Sequence, residues 1–183
     1  SNLTSVTIPN RVTGIGSESF NGCTAITTLS APCIALAPFN RTDVRANIHT
    51  VNVTGGDSIP AWTFSDWPKL EHVSVASSVT TVASNAFKGC VALKDVTFAG
   101  ESQLTAIGNA SFQDCTGLAA ITLPDGLTTI GQGAFKGCTA LTGVAIPATL
   151  TSIGNEAFYG CSQLASVVFE DNSALVSIGD TAF

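Results

Sequence analysis

Hydrophobic positions in this chain recur on two interleaved periods. Within short segments they alternate: LTSVTI (3–8), LKDVTF (93–98) and LTGVAI (141–146) set apolar residues on one face with small polar residues between them. That is the period-2 signature of a half-buried strand. A second alternating piece follows, (Leu/Val)-Thr-x-Ile-Gly, and predicts another short extended segment ended by Gly. The stretch Gly-x-x-Ala-Phe-x-Gly-Cys comes next; it is too short for an independent helix and reads as a single helical or 3₁₀ turn. Aligned on Leu3, Ile26, Ile48, Leu70, Leu93, Leu118, Leu141 and Leu164, the whole text returns about every 23 residues. The units at 93–117 and from 164 carry two extra residues after the first strand, in FAGESQL and FEDNSAL. One unit cannot bury its own apolar face, whereas stacked neighbours can. The predicted architecture is a single domain over 1–183: a β-rich, right-handed repeat solenoid of about eight coils, with a parallel β-ladder and short 3₁₀ or helical turns.

The best units read LTSVTIPNRVTGIGSESFNGCTA (3–25), LAAITLPDGLTTIGQGAFKGCTA (118–140) and LTGVAIPATLTSIGNEAFYGCSQ (141–163). The shared pattern LxxVxIPxxVTxIGxxAFxGCxx resembles the BspA-like leucine-rich repeats. The resemblance covers essentially the whole chain, strongly at 3–25 and 70–183 and weakly at 26–69. It implies a leucine-rich-repeat solenoid in a cell-surface or secreted protein, of a kind that acts in adhesion to host or matrix proteins. Ser1-Asn2-Leu3 matches Ser162-Gln163-Leu164, and the chain ends at Ala182-Phe183, just before a Gly-Cys would follow. Neither end has a polar capping unit, so the expectation is a window of a longer array.

Cys23, Cys90, Cys115, Cys138 and Cys161 occupy one repeat position, each three residues after a Phe. A position filled once per coil forms a ladder along the solenoid axis. Parallel ladder side chains do not turn towards each other as a disulfide needs. They do not converge as zinc ligands must, and no His shares their column to serve as a base. Trp67 falls in the same column, a substitution that packing tolerates and redox or metal chemistry does not. The five thiols therefore read as a buried structural ladder of small hydrophobes. Cys33 lies off it, and its state stays open.

Units two and three, residues 26–69, break the pattern. SAPCIALAPFNRTDVRANIHT (30–50) replaces the usual second turn and holds Arg41 and Arg45. Degenerate units often map to a binding face. Across neighbouring coils His49, Glu71 and Lys94 fall in one column, with His72 and Asp95 beside them and Asn52 and Ser74 extending the face. A metal site of His49, His72 and Asp95 is disfavoured because the two His differ in column. Trp62 aligns with Glu156 at an outward position, where it either anchors a partner or folds back to shield the irregular loop. The partner-binding candidates are thus Arg41, Arg45, His49, Trp62, Glu71, His72, Lys94 and Asp95.

Composition narrows the function. Charged residues make up only 11% of the chain, and 18 Ser, 23 Thr and 17 Gly fill the difference. The net charge of −6, with seven scattered basic residues, argues against nucleic acid and anionic membranes, both of which call for a basic patch. No apolar run approaches a membrane span. Four Asn-x-Ser/Thr sequons, at Asn2, Asn40, Asn52 and Asn109, are glycosylation candidates if the chain is secreted by a eukaryote. A Thr column (Thr13, Thr80, Thr105, Thr128, Thr151) reflects β-propensity, with an ice-binding or self-stacking strip as the alternative. No phosphate loop, catalytic triad spacing or carboxylate cleft stands out. The expected function is a non-enzymatic extracellular or cell-surface module, free of cofactors, that binds a protein partner from host, matrix or itself. The alternative is a structural subunit of an extracellular filament or coat that associates through its uncapped ends.

Overall fold

The structure, a computed structural model, describes residues 1–40 and 42–183. The chain winds through about eight coils, and all but one of the LxxVxI-type segments form strands that pair in parallel with a neighbouring coil. Strands are numbered along the chain. The first ladder runs in the order β1 (Ser5–Thr7), β2 (Thr28–Ala31), β3 (Thr50–Val53), β5 (His72–Val75) and β7 (Asp95–Phe98). Its register follows the sequence repeat, with Thr28 opposite Thr50, Thr50 opposite His72 and His72 opposite Asp95. A second, six-stranded ladder comprises β4 (Ser58–Ile59), β6 (Thr81–Val82), β8 (Ala106–Ile107), β9 (Thr129–Ile130), β11 (Ser152–Ile153) and β13 (Ser177–Ile178), again parallel. Strands β10 (Gly143–Ile146) and β12 (Ser166–Phe169) pair separately from the first ladder. Among the described residues no helix is long and apolar enough to cross a membrane.

The opening positions Ile26, Ile48, Leu70, Leu93, Leu118 and Leu141 are fully buried, as are the inward Leu29 and Val51. The Phe column is their counterpart on the other side. Phe64, Phe87, Phe112, Phe135, Phe158 and Phe183 stack at centroid separations of 4.9, 5.0, 5.3, 5.1 and 5.4 Å. These separations track the ~4.8 Å spacing of parallel strands. The irregular second coil supplies a ring as well: Phe39, at the end of the 3₁₀ turn Ala37–Phe39, stacks on Phe20 at 4.4 Å.

The segment between the second ladder and the Cys is a chain of i→i+3 turns. In the fourth coil Ala86, Lys88 and Cys90 donate backbone N–H bonds to Ala83, Asn85 and Phe87. Left-handed residues at Asn85 and Gly89 stop these turns from running on as a helix. A positive φ at the third residue is what a type II turn requires. Gly meets it freely at Gly137 and Gly160, while Trp62, Ala110 and Glu156 adopt it against their Cβ preference. The Gly of the Ile-Gly pair serves closeness instead. A Cβ on Gly131 would meet the Asn109 backbone N at 2.7 Å, and one on Gly154 the Gln132 backbone N at 2.5 Å.

One expected strand is missing. Coil six, LAAITLPDG, has the pattern of its neighbours, yet residues 119–124 form no strand. The two-residue insertion in the coil before it bulges at Gly100–Glu101, with Glu101 left-handed at φ 56°. The bulge and the turn at 124–126 line parts of one cleft, and the coil-six segment pairs with neither β7 nor β10.

Ser111 takes the position that Ala86, Ala134 and Ala157 fill in other coils. Its hydroxyl is fully buried without a hydrogen-bond partner, whereas Thr63, in the same column, donates to the Pro60 carbonyl at 2.8 Å. An unsatisfied buried hydroxyl costs ~1–3 kcal/mol. Ser111→Ala is therefore expected to stabilise the protein by about 1 kcal/mol, read as a higher urea midpoint; an unchanged or lower midpoint would contradict this.

Candidate functional site

The start of the first ladder gathers a charged cluster on its exposed face. Backbone bonds from Glu71 N–H to His49 O and from Lys94 N–H to Glu71 O, both 2.8 Å, fix His49, Glu71 and Lys94 as one row. Lys94 Nζ lies 2.5 Å from Glu71 Oε2. In the adjoining column His72 Nδ1 sits 2.7 Å from Asp95 Oδ2, and its Nε2 3.7 Å from Glu71 Oε2. Four charged or ionisable side chains from two coils thus form one connected group, with His72 between two carboxylates. The hydrogen bond from Lys94 holds the Glu71 carboxyl below its ordinary range. Further along the strands Ser74 Oγ donates to Asn52 Oδ1 at 2.8 Å and Asn52 Nδ2 to Ser30 Oγ at 2.9 Å.

Trp62 stands apart from this cluster, on the turn before the Phe column. Its side chain is 53% exposed and does not fold away. With Ile34, 62% exposed, it lines a cleft of about 390 Å³ together with Ala37, Asn40 and Pro60. Arg45 is engaged rather than free: it donates to Ser65 O at 2.8 Å and to Asn40 Oδ1 at 3.2 Å. Arg41 lies outside the described residues.

Asn40 proves to be the hub of the irregular coil. Its Oδ1 also accepts the indole N–H of the buried Trp67 at 3.2 Å, and its Nδ2 donates to Trp62 O at 3.4 Å. As a sequence it read only as a sequon in a loop; no local signal marks an acceptor for a Trp 27 residues away. Of the other sequons, Asn2 is exposed and Asn109 is exposed with its Oδ1 accepting the Gln132 N–H at 2.9 Å. The Asn52 amide is half-buried and spent within the ladder.

The thiols are structural donors. Cys90, Cys115, Cys138 and Cys161 Sγ point to the carbonyls of Phe64, Phe87, Phe112 and Phe135 in the preceding coil, at 3.0–3.2 Å. Burial pushes the Cys90 thiol up to about 12 and Cys161 to about 11, and raises Cys115 and Cys138 as well. Cys33 is also buried and raised to about 11 by desolvation. Cys23 departs from the expected ladder. It sits in the first coil, where no described coil supplies a covering Phe carbonyl, and it is only half-buried. The Thr column is likewise spent on the backbone: Thr80, Thr105, Thr128 and Thr151 hydroxyls donate to carbonyls of the preceding coil at 2.8–3.2 Å.

Comparison with known proteins places this geometry. The family model described as BspA type leucine rich repeat region matches in six copies over residues 1–102 and 100–183. No curated protein matches the chain. Among solved structures, a leucine rich cell surface protein from Faecalibacterium prausnitzii A2-165 is 28% identical, with a TM-score of 0.61 over 74% of this chain and 38% of its own. The chain therefore spans well under half of that protein. The T. pallidum leucine rich repeat protein is 22% identical, with a TM-score of 0.65 over 98% of this chain and 74% of its own. Toll, in the Drosophila Toll–Spatzle complex, shares the fold at 14% identity and a TM-score of 0.66, over 96% of this chain and 26% of its own.

Two measurements check the site. With a thiol reagent at pH 8, Cys23 is expected to react in the native protein and the other five cysteines only on unfolding; rapid native labelling of all six would contradict the buried column. By carbon-detected NMR titration, Glu71 is expected to protonate below the usual carboxylate range. A depressed native pKa contributes stability above the unfolded value and loses it as pH falls through the native one. Lys94→Ala should move the Glu71 midpoint upwards, and an unmoved midpoint would rule out their pairing.

Proposed function

The chain belongs to the BspA-type leucine-rich repeat family, and on that premise we propose that it is a non-enzymatic module of a cell-surface protein that adheres to a protein partner through its first ladder. The observation that carries this reading is the connected cluster of Glu71, His72, Lys94 and Asp95 on the exposed strand face. In a chain with only 11% charged residues, such a cluster stands out on a rigid surface of Ser, Thr and backbone. A solenoid offers a long contact face whose shape does not depend on the partner, and a charge pattern on it steers and orients docking. The F. prausnitzii neighbour is described as a cell surface protein, and Toll, sharing only the fold, is seen in complex with a protein, Spatzle. The nucleophile-type side chains support binding over chemistry, since five of the six thiols are buried. Exposed Trp62 supplies a second anchor, of the residue type enriched in interface hot spots.

The test is surface plasmon resonance of the purified domain over immobilised extracellular-matrix extract. Glu71→Ala/Asp95→Ala is expected to weaken binding at least ~10-fold, and Trp62→Ala to cost about 2 kcal/mol, ~30-fold. Unchanged affinity in one variant removes its residues from the contact surface. Unchanged affinity in both overturns the reading.

A further inference from the structure

The first ladder is breached. Strand β7 pairs only with β5, and the next paired strand is β10, with β12. Between them residues 119–124 form no strand, and among the described residues no backbone hydrogen bond joins them to β7. Elsewhere the same junction is closed: Lys94 N–H donates to Glu71 O at 2.8 Å, and Ala165 N–H to Thr142 O at 2.9 Å. Coil six has not left the stack. Thr128 N–H still donates to Thr105 O at 2.9 Å, and Phe112 N–H to Ala134 O at 2.8 Å. Ile121 and Leu123 remain buried. The coils part on one side only, and a cleft of about 480 Å³ opens there, lined by Thr97, Phe98, Glu101, Thr122, Leu123 and Asp125 among others.

The gap in the hydrogen-bond ladder thus opens into a cleft of ligand-binding size, within the ~300–1,000 Å³ typical of such sites. An unpaired strand edge is a template for another strand. Added strands gain affinity from main-chain bonds and specificity from pockets for alternate side chains. The four residues of β7 present ~13 Å of edge at ~3.3 Å per residue. The ionisable side chains lining the cleft, Glu101 and Asp125, are both acidic, while half-buried Phe98 and buried Leu123 make its apolar part.

We propose that this breach is a docking groove for an extended segment of a partner protein that carries Lys or Arg beside alternating apolar residues. The segment would pair its backbone with β7 and place its basic side chain against Glu101 and Asp125. This rests on the binding-module reading and names the kind of partner.

The probes are a blocked peptide Lys-Val-Thr-Val-Thr-Val-Lys, its counterpart with Glu at both ends, and the first peptide N-methylated at alternate residues. Binding is read by fluorescence anisotropy, and its location by amide hydrogen exchange in the intact domain. The basic peptide is expected to bind and to slow exchange at 95–98 and 119–124 at least ~10-fold. N-methylation is expected to weaken it at least ~10-fold, and Glu101→Lys/Asp125→Lys to reverse the preference in favour of the acidic peptide. Equal binding of the N-methylated peptide, protection elsewhere, or no binding would overturn the proposal. So would a concentration-dependent dimer that protects the same amides without peptide, since the occupant would then be a second copy. Matrix binding that persists in a domain taking up neither peptide sinks this inference alone. Peptide uptake by a domain that binds no matrix upholds it and sinks the matrix-adhesion reading.

Discussion

Everything in this molecule answers to one constraint: each coil must lie one strand spacing from the next, everywhere at once. The Phe column shows how tightly this holds. Rings in successive regular coils are stacked within 8° of parallel from Phe87 to Phe183. Aromatic pairs left to themselves prefer offset or edge-on arrangements and gain ~0.5–1.5 kcal/mol from the geometry. Burying a Phe side chain gains ~1.5–3 kcal/mol. Burial and the backbone ladders therefore set the spacing, and the rings accept the orientation that translation imposes. The same translation turns Cys into a donor to the Phe carbonyl before it and Thr into a donor to the coil below.

Where the text departs from the repeat, the structure mends the spacing with long-range contacts. Trp67 occupies a slot sized for Cys, and its indole N–H, buried with it, needs an acceptor. The irregular second coil provides one in Asn40, which Arg45 also grips while reaching Ser65 O. Phe39 stacks on Phe20 without the surrounding motif. The irregularity is thus a local rebuilding around one large side chain. Its visible residue is the exposed pair Ile34 and Trp62 beside a cleft.

The breach between coils five and six is the opposite case, an irregularity that is not mended. The first ladder is interrupted where two added residues follow β7, while the second ladder and the Phe turn keep their bonds. The separation costs several strand hydrogen bonds, each worth ~1 kcal/mol net, and a stack held on its other sides can bear that. It places an open edge next to the charged cluster on the same ladder, so the two features bear on one face of the solenoid.

The repeat period, the parallel ladders, the inward columns and the row of His49, Glu71 and Lys94 were all legible in the sequence, because translation maps a sequence period directly onto a column in space. The pairing of His72 with Asp95 followed from the same register. Tertiary structure alone decided the rest. That Asn40 holds Trp67, that Trp62 stays exposed and that Arg45 is clamped all depend on contacts across an irregular coil, where no period relates residue number to position. The lost strand at 119–124 belongs here too: its own text is regular, so no local signal marks the loss. Columns are written in the period of the sequence, whereas departures from them are settled by the packing of neighbouring coils.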